Sequence, residues 1–214
     1  MVPTSSIEQH GAGDGRTARA VRTRDAIVDA CIALVEAGDL RPTAPRIAEH
    51  AGVSVRSVFQ HFDDLETLFS AVGARVVQRI GPLYTPIDVS RPLSERLDSM
   101  VEQRARVLEA VTPVRRAAMA NAVGSPQIER MLQQGHDILR QQVADVFAPE
   151  LAAADAATAG TGSSADELLD TLSAALAWPT WDTLRLWSHH SYEDSQRVLH
   201  RLARAVLQAE GHPV

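Results

Sequence analysis

Gly52 sits between two apolar stretches that are each only about two helical turns long, in the run TAPRIAEHAGVSVRSVFQHF over residues 43–62. Few folds accept so short a pair. Thr43 is placed to cap a first helix through His50 with its hydroxyl. Pro45 falls in the first turn, where a missing N–H is harmless. Gly52 can enter the left-handed backbone region that a side chain resists, and Ser54 can cap a second helix through Phe62. Ile47 and Val58 are spaced to meet as the buried contact, Ala48 and Ala51 leave room for a close crossing, and Val53 plugs the turn. These are the parts of a helix-turn-helix. The second helix is left with Val55, Arg56, Ser57, Phe59, Gln60 and His61 facing outward. Arg and Gln suit base edges, while Ser and His suit phosphates. A hairpin buried in an ordinary core would not leave that mixture exposed.

The flanking sequence supplies more helices. Ile27, Cys31, Leu34 and Val35 form a stripe at helical spacing that Gly38 ends, and Cys31 reads there as core filling rather than a nucleophile. Asp63 and Glu66 have the spacing of a capping box for a fourth helix carrying Leu65, Leu68, Phe69, Val72, Val76 and Ile80. After a proline-containing link over residues 81–92, longer helical patterns follow, with breaks expected at Pro113 and at Gly124-Ser125-Pro126. Residues 149–164 read as a mobile loop rich in Ala, Gly and Ser. Two C-terminal helices close the chain, the first with a kink at Pro179.

Composition agrees with helices, since aromatics are scarce and no period-two β-branched run occurs. The formal charge of −6 does not by itself suggest a nucleic-acid binder. Its distribution does more: residues 1–62 hold seven Arg and seven acids, so all the excess negative charge lies beyond them. Arg16, Arg19, Arg22 and Arg24 form a basic run with no acid among them, following a lead-in over residues 1–15 that reads as disordered. A local basic patch on an acidic protein is compatible with DNA binding. Every basic side chain is Arg and none is Lys, which a GC-rich genome explains. A single cysteine fits a reducing cytoplasm. No run of about 18 apolar residues is present, so no membrane partner is expected.

The run from Thr43 resembles the DNA-binding domain of the TetR (tetracycline repressor-like) family. Thr43, Ile47-Ala48, Ala51-Gly52-Val53-Ser54, Phe59, His61-Phe62, Glu66 and Leu68 all fall where that family places similar residues. The likeness covers residues 20–72, and residues 180–207 look like the last two helices of many members. The resemblance implies an all-α fold of about nine helices, with an N-terminal three-helix helix-turn-helix domain and a C-terminal helical bundle. It divides the chain into a disordered basic-leaning arm (1–19), a DNA-binding domain (20–66) and a ligand-binding and dimerisation domain (67–214). The implied partners are double-stranded palindromic operator DNA, a small-molecule effector of unknown identity, and a second copy docked through the last two helices. Carried over by position, Val55, Arg56, Phe59 and Gln60 would face bases, while Thr43, Ser57 and His61 would meet phosphate. Arg22 and Arg46 complete the expected contacts, with the basic arm along the backbone or in the minor groove.

Two positions depart from the family. Phe59 stands where Tyr is usual, so a hydroxyl contact to phosphate is lost while ring packing is kept. Leu65 stands where Lys is usual, which should lower the salt slope by about one unit; Arg56, at a position often small in the family, offers a replacement charge. The expected regulator is a repressor released by its ligand. Pocket candidates on the central and C-terminal helices are Met100, Arg104, Met119, His136, Phe147, Trp178 and Trp181, an apolar set with a few polar groups. Adjacent His189 and His190 diverge by about 100° on a helix and lack a third ligand, so neither metal nor cofactor is expected. The rival readings are an enzyme, or a ligand-binding module without operator binding, on the same scaffold. No nucleophile elbow, phosphate loop, HExxH or paired cysteines support the enzyme.

Overall fold

The structure is a computed structural model describing residues 11–157, 164–212 and 214. All regular elements among them are helical. Helix α1 (Gly11–Glu36) begins earlier than expected: Arg19, Arg22 and Arg24 lie along its helical surface rather than on an irregular arm. Residues 17–24 are largely good helix formers without a proline, which favours extension of the helix. The part of the lead-in over residues 1–10 lies outside the described residues. The second half of α1 buries Ile27, Cys31, Leu34 and Val35, as the stripe required. Burial pushes the Cys31 thiol up to about 12, so it packs as a neutral group.

Helices α2 (Ala44–Ala51), α3 (Val55–His61) and α4 (Leu65–Ile80) follow. Gly52 joins α2 to α3 at φ +66° and ψ 32°. A Cβ there would meet nothing within 4 Å, so only backbone strain opposes a side chain. Gly52→Ala is therefore expected to destabilise the fold by about 1–2 kcal/mol, read as a lower denaturant midpoint. The Ser54 hydroxyl caps α3 by accepting from the Ser57 N–H at 3.1 Å. The Thr43 hydroxyl makes no cap bond, contrary to expectation. Pro45 removes one of the two N–H groups it could have accepted. The box expected from Asp63 and Glu66 is also replaced. Helix α4 starts one residue later, with the Asp64 carboxylate accepting from the Thr67 N–H at 2.7 Å. Glu66 is thereby free to accept from the Ser125 hydroxyl at 2.5 Å.

A short 3₁₀ turn (Gly81–Leu83) leads to α5 (Leu93–Asn121), which runs unbroken through Pro113. The expected break is overridden by tertiary packing on both sides of the proline: Leu97 and Leu108 lie in one core, Val114 and Ala117 in another. Helix α6 (Pro126–Val146) is followed by α7 (Ala148–Ala157) and α8 (Ser164–Ala175). The expected loop over 149–164 is thus helical up to Ala157, in keeping with the high helix propensity of alanine; residues 158–163 lie outside the described set. In place of a kinked helix, the chain breaks after α8. Pro179 then occupies the first turn of a new helix, α9 (Trp178–Asp182), where proline is tolerated. A π-helical turn (Thr183–Trp187) and α10 (Tyr192–Ala209) complete the fold.

Two cores result. The first unites α1–α4 with Val114, Ala117 and Ala118 of α5 and Ile128 of α6. Leu68, Phe69, Val72 and Val76, beyond the expected boundary at residue 66, belong to it. The second joins the N-terminal half of α5 to α6 and α8–α10, with Ala154 of α7. Helix α5 enters both cores, and α4 passes from the first toward the body. No described helix is long and apolar enough to cross a membrane.

Candidate functional site

Helix α3 is held from beneath and bare above. Val58 and Phe62 are buried with Ile47 in the first core, and Arg24 lies over the Phe62 ring at 4.6 Å. That cation–π contact fixes the base of α3 to α1. On the outer side, Val55 is 39% and Phe59 49% exposed, with Arg56 and Gln60 beside them in solvent. The Phe59 ring is therefore not packed away, contrary to the expectation drawn from the usual tyrosine; Phe62 fills that role. Ser57 and His61 are partly buried at the edges of the same face.

Arg22 is exposed on α1 and Thr43 at the start of α2. Arg46 is exposed too, but its guanidinium donates to Asp39 at 2.5 Å, so phosphate would have to compete with an acid. Arg19, Arg22 and Arg56 have no ion pair among the described residues. Leu65 is partly buried against the first core, which explains an apolar residue at that position. Sequence reasoning missed the Asp39–Arg46 pair and the Arg24–Phe62 contact, neither of which has a periodic signature.

The seven pocket candidates separate into three groups. Arg104, His136 and Trp178 line one cavity of about 410 Å³ between α5, α6 and the α8–α9 break. Met100, Phe147 and Trp181 are instead fully buried core residues, and the Trp181 indole donates to Glu109 at 3.1 Å. Met119 is 50% exposed and lines neither cavity described here. A second cavity of about 320 Å³ is almost wholly apolar; Gly73, Val76 and Ile80 of α4 line it opposite Met131 and Gly135 of α6. Sequence reasoning missed Arg115, which lines both cavities, because its neighbours in space are distant in sequence.

Helix α2, the Gly52 turn and α3 form a helix-turn-helix whose second helix presents an exposed outer face. Residues 27–72 match the sequence model described as bacterial regulatory proteins, tetR family, so the likeness to that family lies in the segment from the second half of α1 to the middle of α4. Three solved structures share the whole fold. A transcriptional regulator from Rhodococcus sp. Rha1 is 18% identical with a TM-score of 0.63, over 89% of this chain and 96% of that one. A protein described as a TetR-family transcriptional regulator from Mesorhizobium loti is 23% identical with a TM-score of 0.59, over 89% of this chain and 98% of that one. Another so described, from Rhodococcus sp., is 21% identical with a TM-score of 0.57, over 86% and 98%. At these identities the likeness concerns the fold. Comparison with curated protein sequences gives no significant match.

Proposed function

We propose that the chain is a ligand-responsive repressor that binds palindromic operator DNA as a homodimer and lets go when a small molecule enters its helical body. The outer face of α3 carries this reading: two large apolar side chains flank an unpaired arginine on a seven-residue helix. Such a face is poorly suited to water and well suited to a major groove, where apolar groups meet thymine methyls and arginine meets guanine. Val55, Arg56, Phe59 and Gln60 are assigned to bases. Thr43, Ser57 and His61 are assigned to phosphate, with Arg22 and Arg46 along the backbone.

Leu186, Trp187 and Leu202 in the last two helical segments are exposed, Trp187 by 75%. A second copy docked there would cover them. Two recognition helices must then stand about 34–36 Å apart to enter successive major grooves. Helix α4 supports the switch, because it contributes Leu68 and Val72 to the first core and Val76 and Ile80 to the wall of the apolar cavity. A ligand that favours one placement of α4 over another would change the spacing of the readers. Selecting bound sequences from random duplex DNA tests the reading. A two-fold symmetric site is expected; recovery of no preferred sequence at low salt would favour a ligand-binding module without operator binding.

A further inference from the structure

Several buried or half-buried arginines in the body have an acid in contact: Arg96 with Glu150, Arg116 with Asp182, Arg185 with Glu109. Arg104 and Arg115 have none among the described residues, and both line the 410 Å³ cavity. Arg104 is only 1% exposed. Its guanidinium donates to the Leu139 and Leu176 carbonyls and to the Gln142 side chain, which solvates the charge but does not neutralise it. Arg115 lies over the Trp178 ring at 5.3 Å. The Nε of each arginine and the hydroxyl of Ser173, a third lining residue, are buried without a hydrogen-bond partner. Arg140 at the same cavity is already paired with Asp170, and no acidic side chain lines it.

A buried cation, Arg104, and a half-buried one, Arg115, without a counterion are costly, and unmet donors add to the cost. Burial lowers both guanidinium pKa values, Arg104 to about 10, which still leaves the side chain charged at neutral pH. An anion seated between them would supply the missing partner through charge-assisted hydrogen bonds. The apolar cavity adjoins this one, with Arg115 and Leu139 in the lining of both. The chambers thus have the form of a head site and a tail site.

We propose that this paired cavity binds an organic anion, a carboxylate with an apolar body, its head between Arg104 and Arg115 and its tail against Val76 and Ile80 of α4. The regulatory meaning rests on the effector reading above, whereas the binding itself does not. Calorimetric titration of the full chain without DNA, using decanoate, phenylbutyrate and decanol, tests it. At least one acid should bind, and decanoate should bind at least about tenfold more tightly than decanol. Arg115→Met should lower acid affinity about tenfold or more and shrink the preference for decanoate over decanol; circular dichroism checks that the variant is folded. Equal affinity for acid and alcohol, or binding of neither acid, overturns the proposal. An acid that binds yet leaves operator affinity unchanged supports the site and removes only the switch.

Discussion

Glu150→Ala is expected to destabilise the folded chain by about 3–5 kcal/mol, because it strands a guanidinium inside the body. Glu150 of α7 meets Arg96 of α5 in a two-pronged pair, at 2.5 and 2.9 Å. The side chains are 4% and 8% exposed, so water cannot take the lost partner's place. The Val146 carbonyl accepts from Arg96 as well, at 2.5 Å, and holds the guanidinium where it is after truncation. For a chain of this size the loss corresponds to roughly 6–20 °C in Tm. The double variant Arg96→Met with Glu150→Leu should recover most of it, since apolar replacements need no partner. Urea unfolding of the three chains settles the matter. A loss near 1 kcal/mol or below for Glu150→Ala, the size seen for exposed pairs, would show that the pair is solvated.

That pair also marks where reading the sequence stops. Arg96 and Glu150 are separated by 54 positions, and nothing in either neighbourhood singles them out. Arg104, Arg115 and Ser173 converge on one cavity for the same reason, through the crossing of α5 with α6 and α8. The reader was legible because its constraints are local: Gly52 needs its left-handed turn, and Ile47 meets Val58 across eleven residues. Arg104, His136 and Trp178 were found as pocket candidates, but Met100 and Phe147 carry the same apolar signature and are core. Residue type cannot separate a cavity wall from a filled interior.

The helix breaks were misplaced where tertiary packing outweighs a local preference. Pro113 removes a backbone donor from α5, yet apolar residues before and after it are anchored in different cores, so the helix continues. Pro179 lies only two residues beyond the Leu176-Ala177 break and starts a helix instead of bending one. A proline is compatible with both outcomes. The alanines of α7 do not by themselves distinguish a loop from a helix, because both share that composition until a buried side chain such as Glu150 selects the helix.

At the other end of the molecule, Arg56→Ala is expected to weaken operator binding by about 1–3 kcal/mol, roughly 5- to 150-fold, without altering stability. Arg56 is exposed in the first turn of α3 and has no acid partner among the described residues, so its removal disturbs neither the caps nor the first core. The form of the loss identifies the contact. If the guanidinium reads a base edge, preference relaxes at one position of the site while the salt dependence is kept. If it meets a phosphate, all sequences weaken alike and the salt slope falls by about one. Arg106→Ala is the control for long-range charge: that side chain is exposed on α5 and only loosely paired with Glu102 at 3.8 Å, so it should leave affinity unchanged. Equal losses in both variants would mean that the charge of the whole molecule, rather than the outer face of α3, governs attachment to DNA.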